Sequence, residues 1–395
     1  MFAVPRVERL IFLLLIIGIL AGCLSLGAER ITVDESERLV DSARAAIDAA
    51  DSYIRDGDFS RAKKMLEESR RDLEDGAEGF NTVFDKSEME GVLAAEEKVD
   101  FALSYLDENR PGAARASLAA AREELVRVGI SQLGAKDRIA PERFTVTKGE
   151  FPLTFYGTVD GVYIGYQPVP HNIAKAAREA FYAYDKSGSE SDLDRGVFLT
   201  ELLIEMSTER DGGFIVWPNN FAWPAYDLSP GWIGALSQAG CMKALMLAYG
   251  ATEDDRYLQF GDKALSAFEY SLSQGGLRST RTDETGSYTW YPEYARSEPP
   301  YVLNGFITSV VWIGEYSDFT GSEKAAALYN EGVKSIAHFL PEYDKGGGWS
   351  YYDALGHRSS EHYHRLHVDQ LALLYRLTGD EVFKTYRVMW SVEEG

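Results

Sequence analysis

The sequence predicts a mostly α-helical protein: an (α/α) toroid or barrel preceded by a helical-hairpin module, built as a bundle or a tetratricopeptide-like pair. Three observations predict it. From Ile31 to about Gln132, Ala, Leu, Glu and Arg dominate, and the one proline is Pro111. In that stretch residues recur at an offset of 52: Tyr53/Tyr105, Ile54/Leu106, Ala62/Ala114, Leu66/Leu118, Arg70/Arg122 and Leu73/Leu125. Each copy holds a breaker, Asp56-Gly57-Asp58 and then Asn109-Arg110-Pro111-Gly112, so each reads as two helices and a turn. After about residue 150, helical stretches alternate with glycine- and aromatic-rich loops such as Asp211-Gly212-Gly213 and Gly346-Gly347-Gly348. Helix pairs joined by such loops make a ring whose loops line a central cleft.

In chain order, Arg6 and Arg9 precede an unbroken apolar run, Leu10 to Ala21, which stops at Gly22-Cys23. The run is short for a membrane span, which needs about 20 residues, and fits the apolar core of a signal peptide. Leu20-Ala21-Gly22-Cys23 resembles the lipobox of prokaryotic lipoproteins. That resemblance implies removal of residues 1–22, lipid on Cys23, and an exported chain held at the outer face of the membrane. Residues 31–132 form the repeat module, expected to be a spacer or a protein-contact surface; self-association as a homodimer is also open. Gly134, Pro141 and Gly149 break the helical period across a linker at 133–150. Residues 151–395 form the second domain, with a short strand segment at 152–164 and helices near 171–185, 194–208, 232–249, 254–273, 302–319, 321–339 and 365–377.

Charge and cysteine usage exclude whole classes. Forty Lys+Arg against 62 Asp+Glu leave a net charge of −22, which lacks the basic footprint of a nucleic-acid binder. Two cysteines, Cys23 and Cys241, cannot build a disulfide scaffold or a multi-cysteine metal site. Cys241 lies in an apolar helix and reads as a small buried residue. The 23 Tyr and 7 Trp, mostly beyond residue 150, suit a cleft for sugars.

Five segments carry a more specific signal: YQPVPHNIA (166–174), SPGWIGALSQAG (229–240), WYPEYARSEPPYVLNGFI (290–307), PEYDKGGGWSYYD (341–353) and HYHRLHVDQL (362–371). Together and in this order they resemble the C-terminal domain of heparosan glucuronate C5-epimerases. The resemblance implies inversion at C5 of a uronate in a polysaccharide, with no cofactor and no metal. The reaction removes a proton α to a carboxylate and returns one to the opposite face. The dianionic enediolate between those steps needs hydrogen bonds or positive charge, and acid/base groups must flank the ring. On the family's pattern the catalytic residues fall on Glu293, Tyr294, Tyr352 and Tyr363. Tyr352 and Tyr363 are expected to be the two bases, activated by a neighbouring cation or hydrogen bond that lowers their pKa, with Tyr294 helping to hold or activate the sugar and Glu293 orienting a tyrosine or a sugar hydroxyl.

The binding set is less specific. Gln167 and Gln238 are cleft residues or loop supports, Asn304 is a hydroxyl ligand or a helix cap, and Trp232 and Trp290 are sugar platforms or core. His364, beside Tyr363, is expected to bind sugar or orient that tyrosine. Where the family commonly has an arginine two residues after the Tyr-Asp aspartate, this chain has Leu355, which leaves His357, Arg358 and Arg365 as the nearest cations. With the lipobox, this departure points to a surface uronate polymer other than a heparan precursor. A polysaccharide lyase sharing the carbanion and a non-catalytic glycan-binding lipoprotein are the competing readings. A glycoside hydrolase would need paired carboxylates, for which Glu293 and Asp353 are available.

The lipobox reading is tested by intact mass. Membrane-purified protein should begin at a lipid-modified Cys23, and Cys23→Ser should be released or misprocessed. An unmodified Met1 rejects it.

Overall fold

A computed structural model of the chain describes residues 33–80, 86–128 and 144–391. Cys23 and the apolar run before it lie outside the described residues, as does most of the linker. No helix among the described residues is long and apolar enough to cross a membrane.

The repeat module is a closed bundle. Helices α1 (Val33–Arg55), α2 (Phe59–Phe80), α3 (Lys86–Asp107) and α4 (Pro111–Arg127) pack in chain order, and α4 returns against α1. A tetratricopeptide-like stack would hold its first and last helices apart, so the bundle alternative is the one realised. Val40, Ala43, Ile47, Ala50 and Ile54 of α1 recur every three or four residues and face Leu66, Leu73, Val99, Leu118 and Leu125 across the core. The sequence repeat survives at atomic level in the turns. Gly57 (φ 76°) and Asn109 (φ 58°) are both left-handed. In each turn the next amide, Asp58 or Arg110, donates 2.8 Å to the carbonyl of Tyr53 or Tyr105. Asparagine is among the few side-chain-bearing residues that accept this conformation cheaply.

The second unit opens with short antiparallel strands. β1 (Thr145–Val146), β2 (Thr154–Phe155) and, beyond the small pair β3 (Thr158–Val159) and β4 (Val162–Tyr163), β5 (Tyr166–Gln167) make a sheet of order β1-β2-β5. Four helical hairpins follow: α5 (Pro170–Ser187) with α6 (Glu190–Met206), α7 (Ala235–Thr252) with α8 (Asp255–Ser266), α9 (Leu303–Thr320) with α10 (Glu323–Phe339), and α11 (Glu361–Thr378) with α12 (Glu381–Trp390). The first helix of each pair packs on the first helix of the next, forming the inner wall of an (α/α) toroid-type arc. Inner helices α7 and α9 are apolar nearly all round and buried over most of their length, whereas the outer α8 and α10 bury one stripe.

One turn joins every pair. The inner helix ends on a left-handed residue, Gly188, Glu253, Gly321 or Gly379, followed by the cap residue Ser189, Asp254, Ser322 or Asp380 of the outer helix. The hydroxyl before each turn, on Ser187, Thr252, Thr320 or Thr378, donates back to the carbonyl four residues earlier at 2.7–2.8 Å. It also accepts the cap amide at 3.1–3.3 Å. The helix expected at 254–273 stops at Ser266, where the chain turns through Gly275 into a hairpin of β6 (Ser279–Asp283) and β7 (Gly286–Trp290). That hairpin and α12 are additions to the predicted elements, as are the two-residue pair Thr208–Glu209 with Ile215–Val216 and the pair Asp344–Gly346 with Trp349–Ser350.

The bundle is docked on this unit rather than hung as a spacer. Glu205 of α6 accepts the amides of Gly112 and Ala113 at the start of α4, at 2.6 and 3.1 Å. Glu124 of α4, fully buried, accepts the Tyr166 amide at 2.6 Å and the Tyr163 hydroxyl at 2.7 Å, and stands 3.6 Å from the buried Lys98. Removing one partner of a buried ion pair costs about 3–5 kcal/mol, because the other charge is stranded. Glu124→Ala should therefore lower the unfolding midpoint of both units together in thermal melts. Replacing Lys98 and Glu124 together by apolar residues should recover much of the loss; a midpoint unmoved by Glu124→Ala alone rejects the coupling.

Candidate active site

Because every inner helix runs in the same direction away from the loops, the helix starts collect on one face. Glu293 and Tyr294 lie on the loop between β7 and α9, Tyr352 on the loop before α11, and Tyr363 in the first turn of α11, where the Ser360 side chain caps its amide. The loops are stitched together by backbone. Pro292 O accepts Ala235 N at 2.9 Å, Ile233 O accepts Ala295 N at 3.1 Å, and Tyr352 O accepts Leu303 N at 3.1 Å.

Two glycines make the approach tight enough. A Cβ on Gly234 would stand 2.0 Å from Glu293 O, and one on Gly305 would stand 2.0 Å from Glu293 Oε2. Gly305 is the third residue of α9, so the carboxylate lies against a helix start. Its Oε2 is buried and has no hydrogen-bond partner among the described residues, as is true of Asn304 Oδ1 beside it. Burial raises the Glu293 pKa to about 7, against a smaller opposing effect of the Tyr294 hydroxyl.

The four expected catalytic residues come together. Tyr294, Tyr352 and Tyr363 lie within electrostatic reach of one another and of Glu293. The rings of Tyr352 and Tyr363 stand 4.8 Å apart, and Tyr294 packs on Tyr226 at 4.5 Å and Trp232 at 5.7 Å. One expectation is corrected here. The tyrosine pKa values are not lowered: burial first, then the nearby Glu293 charge, pushes Tyr294, Tyr352 and Tyr363 upward, so all three stay protonated phenols.

The binding set divides. Trp232 remains at the cluster, half-buried, with its Nε1 donating to Phe221 O at 2.9 Å. Asn304 is buried in the first turn of α9, next in the chain to Gly305, and its backbone carbonyl accepts from Gln370 Nε2 at 2.8 Å. Trp290 is not a platform: it is fully buried and stacked on Phe306 at 3.9 Å. Gln238 is a loop support, its Nε2 donating to Ile215 O and Ala264 O at 2.7 and 3.0 Å. Gln167 is buried at the bundle interface, beside Lys98 and Asn220, and donates to Ile164 O at 2.7 Å. His364 is a buried core residue, stacked on Trp349 and held by Ser350 and Trp390 O. The guanidinium of Arg358 lies 4.4 Å over the Trp349 ring, and Arg365 pairs with Glu361 on the surface. His357 stands at the rim with Nδ1 2.7 Å from Asp353 Oδ2. Cys241 is buried, as expected.

Asp353, fully buried, also accepts the Tyr226 hydroxyl at 2.9 Å and the amides of Leu355 and His357 at 3.1 and 3.2 Å. So engaged, it tethers Tyr226 and the 353–357 loop and is unsuited to a hydrolase pair with Glu293. Tyr226 itself escaped the sequence reading. Its signal was the density of aromatic residues between Trp217 and Trp232, where Pro218, Pro224 and Pro230 leave room for no more than the short 3-10 turn Pro224–Tyr226. No three ligating side chains converge among the described residues to hold a metal.

The buried carboxylate has a thermodynamic signature. With its folded pKa above the unfolded value, Glu293 costs stability as pH rises from the unfolded pKa through about 7, and the full cost is present above that. Glu293→Gln should thus raise the melting temperature relative to wild type at pH 8 and change it little at pH 5. Equal shifts at both pH values reject the raised pKa.

Residues 210–392 match the family model described as D-glucuronyl C5-epimerase C-terminus. An uncharacterized protein of Methanocaldococcus jannaschii is 50% identical over 263 residues, which cover 63% of this chain and 85% of that one. The D-glucuronyl C5-epimerase of Caenorhabditis elegans is 29% identical over 206 residues, 48% of this chain and 33% of the nematode enzyme, so the match spans a third of that relative. Among solved structures, a D-mannose isomerase matches with a TM-score of 0.37 at 14% identity, covering 75% of this chain and 73% of that one. An unsaturated glucuronyl hydrolase of Streptococcus agalactiae matches at 0.30 and 12%, covering 92% of each chain. On the match over residues 210–392, the chain belongs to the family of the D-glucuronyl C5-epimerase C-terminal domain.

Proposed function

We propose that the protein is a carbohydrate epimerase that inverts C5 of a uronate within a polysaccharide. The observation that carries this reading is Glu293: a desolvated carboxylate with a pKa of about 7, beside a cluster of three protonated tyrosines. A carbon acid α to a carboxylate needs a base that is ionised near neutrality and stronger than an ordinary carboxylate. Glu293 meets both demands, and the phenols meet neither. The tyrosines suit the opposite task, since a buried neutral hydroxyl donates to developing negative charge.

In this assignment the C5–H electron pair passes into the uronate carboxyl as its proton passes to Glu293. The resulting enediolate is held by the hydroxyls of Tyr294 and Tyr352. Tyr363 then gives its phenolic proton to C5 from the other face. The row Glu293–Tyr294–Tyr352–Tyr363 returns a proton from the acid to the phenolate and restores the resting state. Asn304 and Trp232 hold the sugar. We further propose export and membrane anchoring, which rest on Arg6, Arg9, the apolar run and Cys23.

Deuterium uptake at C5 from heavy water, followed over a panel of uronate polymers, tests the reaction. Wild type should label both epimers, with kcat/KM rising as pH passes about 7 and no alkaline fall before pH 10. Glu293→Gln should lose exchange by about 10²–10⁴-fold, the usual contribution of a positioned base. Tyr363→Phe should keep exchange into the starting epimer and lose inversion, while Tyr351→Phe leaves both intact. An unsaturated product absorbing in the ultraviolet would identify a lyase instead. A wild-type level of inversion in Glu293→Gln would overturn the assignment of the base.

A further inference from the structure

A polyuronate carries a carboxylate on each uronate residue, and this chain is itself at −22. Binding therefore needs local positive charge where the polymer enters. The cations nearest the cluster are mostly engaged. Arg358 lies over Trp349, Arg365 pairs with Glu361, and His357 holds Asp353. Leu355, where the family resemblance leads one to expect arginine, is 64% exposed beside the Asp353 tether.

Arg296 differs. It is two residues beyond Tyr294, on a loop pinned by the hydrogen bond from Ala295 N to Ile233 O. Its Nη1 donates to Tyr226 O at 2.7 Å, and the ring of that tyrosine lies 4.5 Å from Tyr294. This bond has a neutral acceptor and uses one of five guanidinium N–H donors. Arg296 makes no ion pair among the described residues and is partly open to solvent. Tyr226 thus has Leu355 on the side of its hydroxyl, through Asp353, and Arg296 on the side of its carbonyl.

We propose that Arg296 is the anion-binding residue at the mouth of the tyrosine cluster, pairing with a carboxylate of the bound polyuronate and so fixing its register against Glu293. The inference rests on the epimerase reading for the substrate class. A guanidinium forms a bidentate, charge-assisted pair with a carboxylate, and its pull weakens with salt. Arg296 acts on binding rather than on the proton transfers.

Calorimetric binding of heparosan and polymannuronate hexasaccharides, at low and at physiological salt, tests this directly. Arg296→Gln should weaken binding about tenfold or more, as loss of a charge-assisted pair does, and should flatten the salt dependence. Arg296→Lys should restore part of the affinity, and Arg256→Gln, on a distant surface ion pair, none of the loss. In turnover, Arg296→Gln should raise KM with little change in kcat. Undiminished affinity in Arg296→Gln overturns the proposal, as does an equal loss of affinity for a neutral xylan hexasaccharide or no binding of either uronate probe by wild type. Arginine-dependent binding without any C5 exchange by wild type would keep the anion site and overturn the epimerase reading.

Discussion

The hairpin turn at the base of each helical pair is the constraint on which the rest of this molecule depends. A left-handed residue followed at once by an N-cap leaves no slack, so the two helices must run antiparallel and in contact. The preceding Ser or Thr hydroxyl stiffens the joint by accepting the cap amide while bonding its own helix. Repeated at residues 188, 253, 321 and 379, the joint points every inner helix the same way. Only then do segments scattered from Tyr226 to Tyr363 meet in one place.

At that place the electrostatics are governed by exclusion of water rather than by paired charge. Glu293 is pressed against the start of α9 by the missing side chain of Gly305, where a helix dipole alone would favour the ionised form. Desolvation outweighs it, and the carboxyl ends near neutrality. The same dryness keeps the phenols protonated. One physical cause thus brings a carboxyl up to neutral pH and holds its neighbouring phenols protonated, on residues whose ordinary pKa values would put both far from neutral pH.

Much of this was legible in the sequence, for reasons that differ by element. The 52-residue repeat announced the bundle because Gly57 and Asn109 fill one backbone role twice. The four clustered positions, Glu293, Tyr294, Tyr352 and Tyr363, were legible because their segments are distinctive. The joints were written as Ser-Gly-Ser-Glu, Thr-Glu-Asp-Asp, Thr-Gly-Ser-Glu and Thr-Gly-Asp-Glu at 187, 252, 320 and 378, yet irregular spacing and a glutamate in the glycine position hid the pattern. What could not be read is environment. Nothing about Trp290, Gln238 or His364 in one dimension separates a cleft from a core, and the direction of a tyrosine pKa depends on burial and on Glu293, which contact alone decides.

The placement of the four joints has a consequence for how such a scaffold diversifies. They all sit at the end of the ring away from the chemistry, so loops on the opposite face are free to lengthen without disturbing helix register. Closing a longer flexible loop is cheap, about 0.6 kcal/mol for each doubling of its length. A lineage built on this frame can therefore remodel its rim to meet ligands of different shape, while the placement of Glu293 among the tyrosines is inherited unchanged.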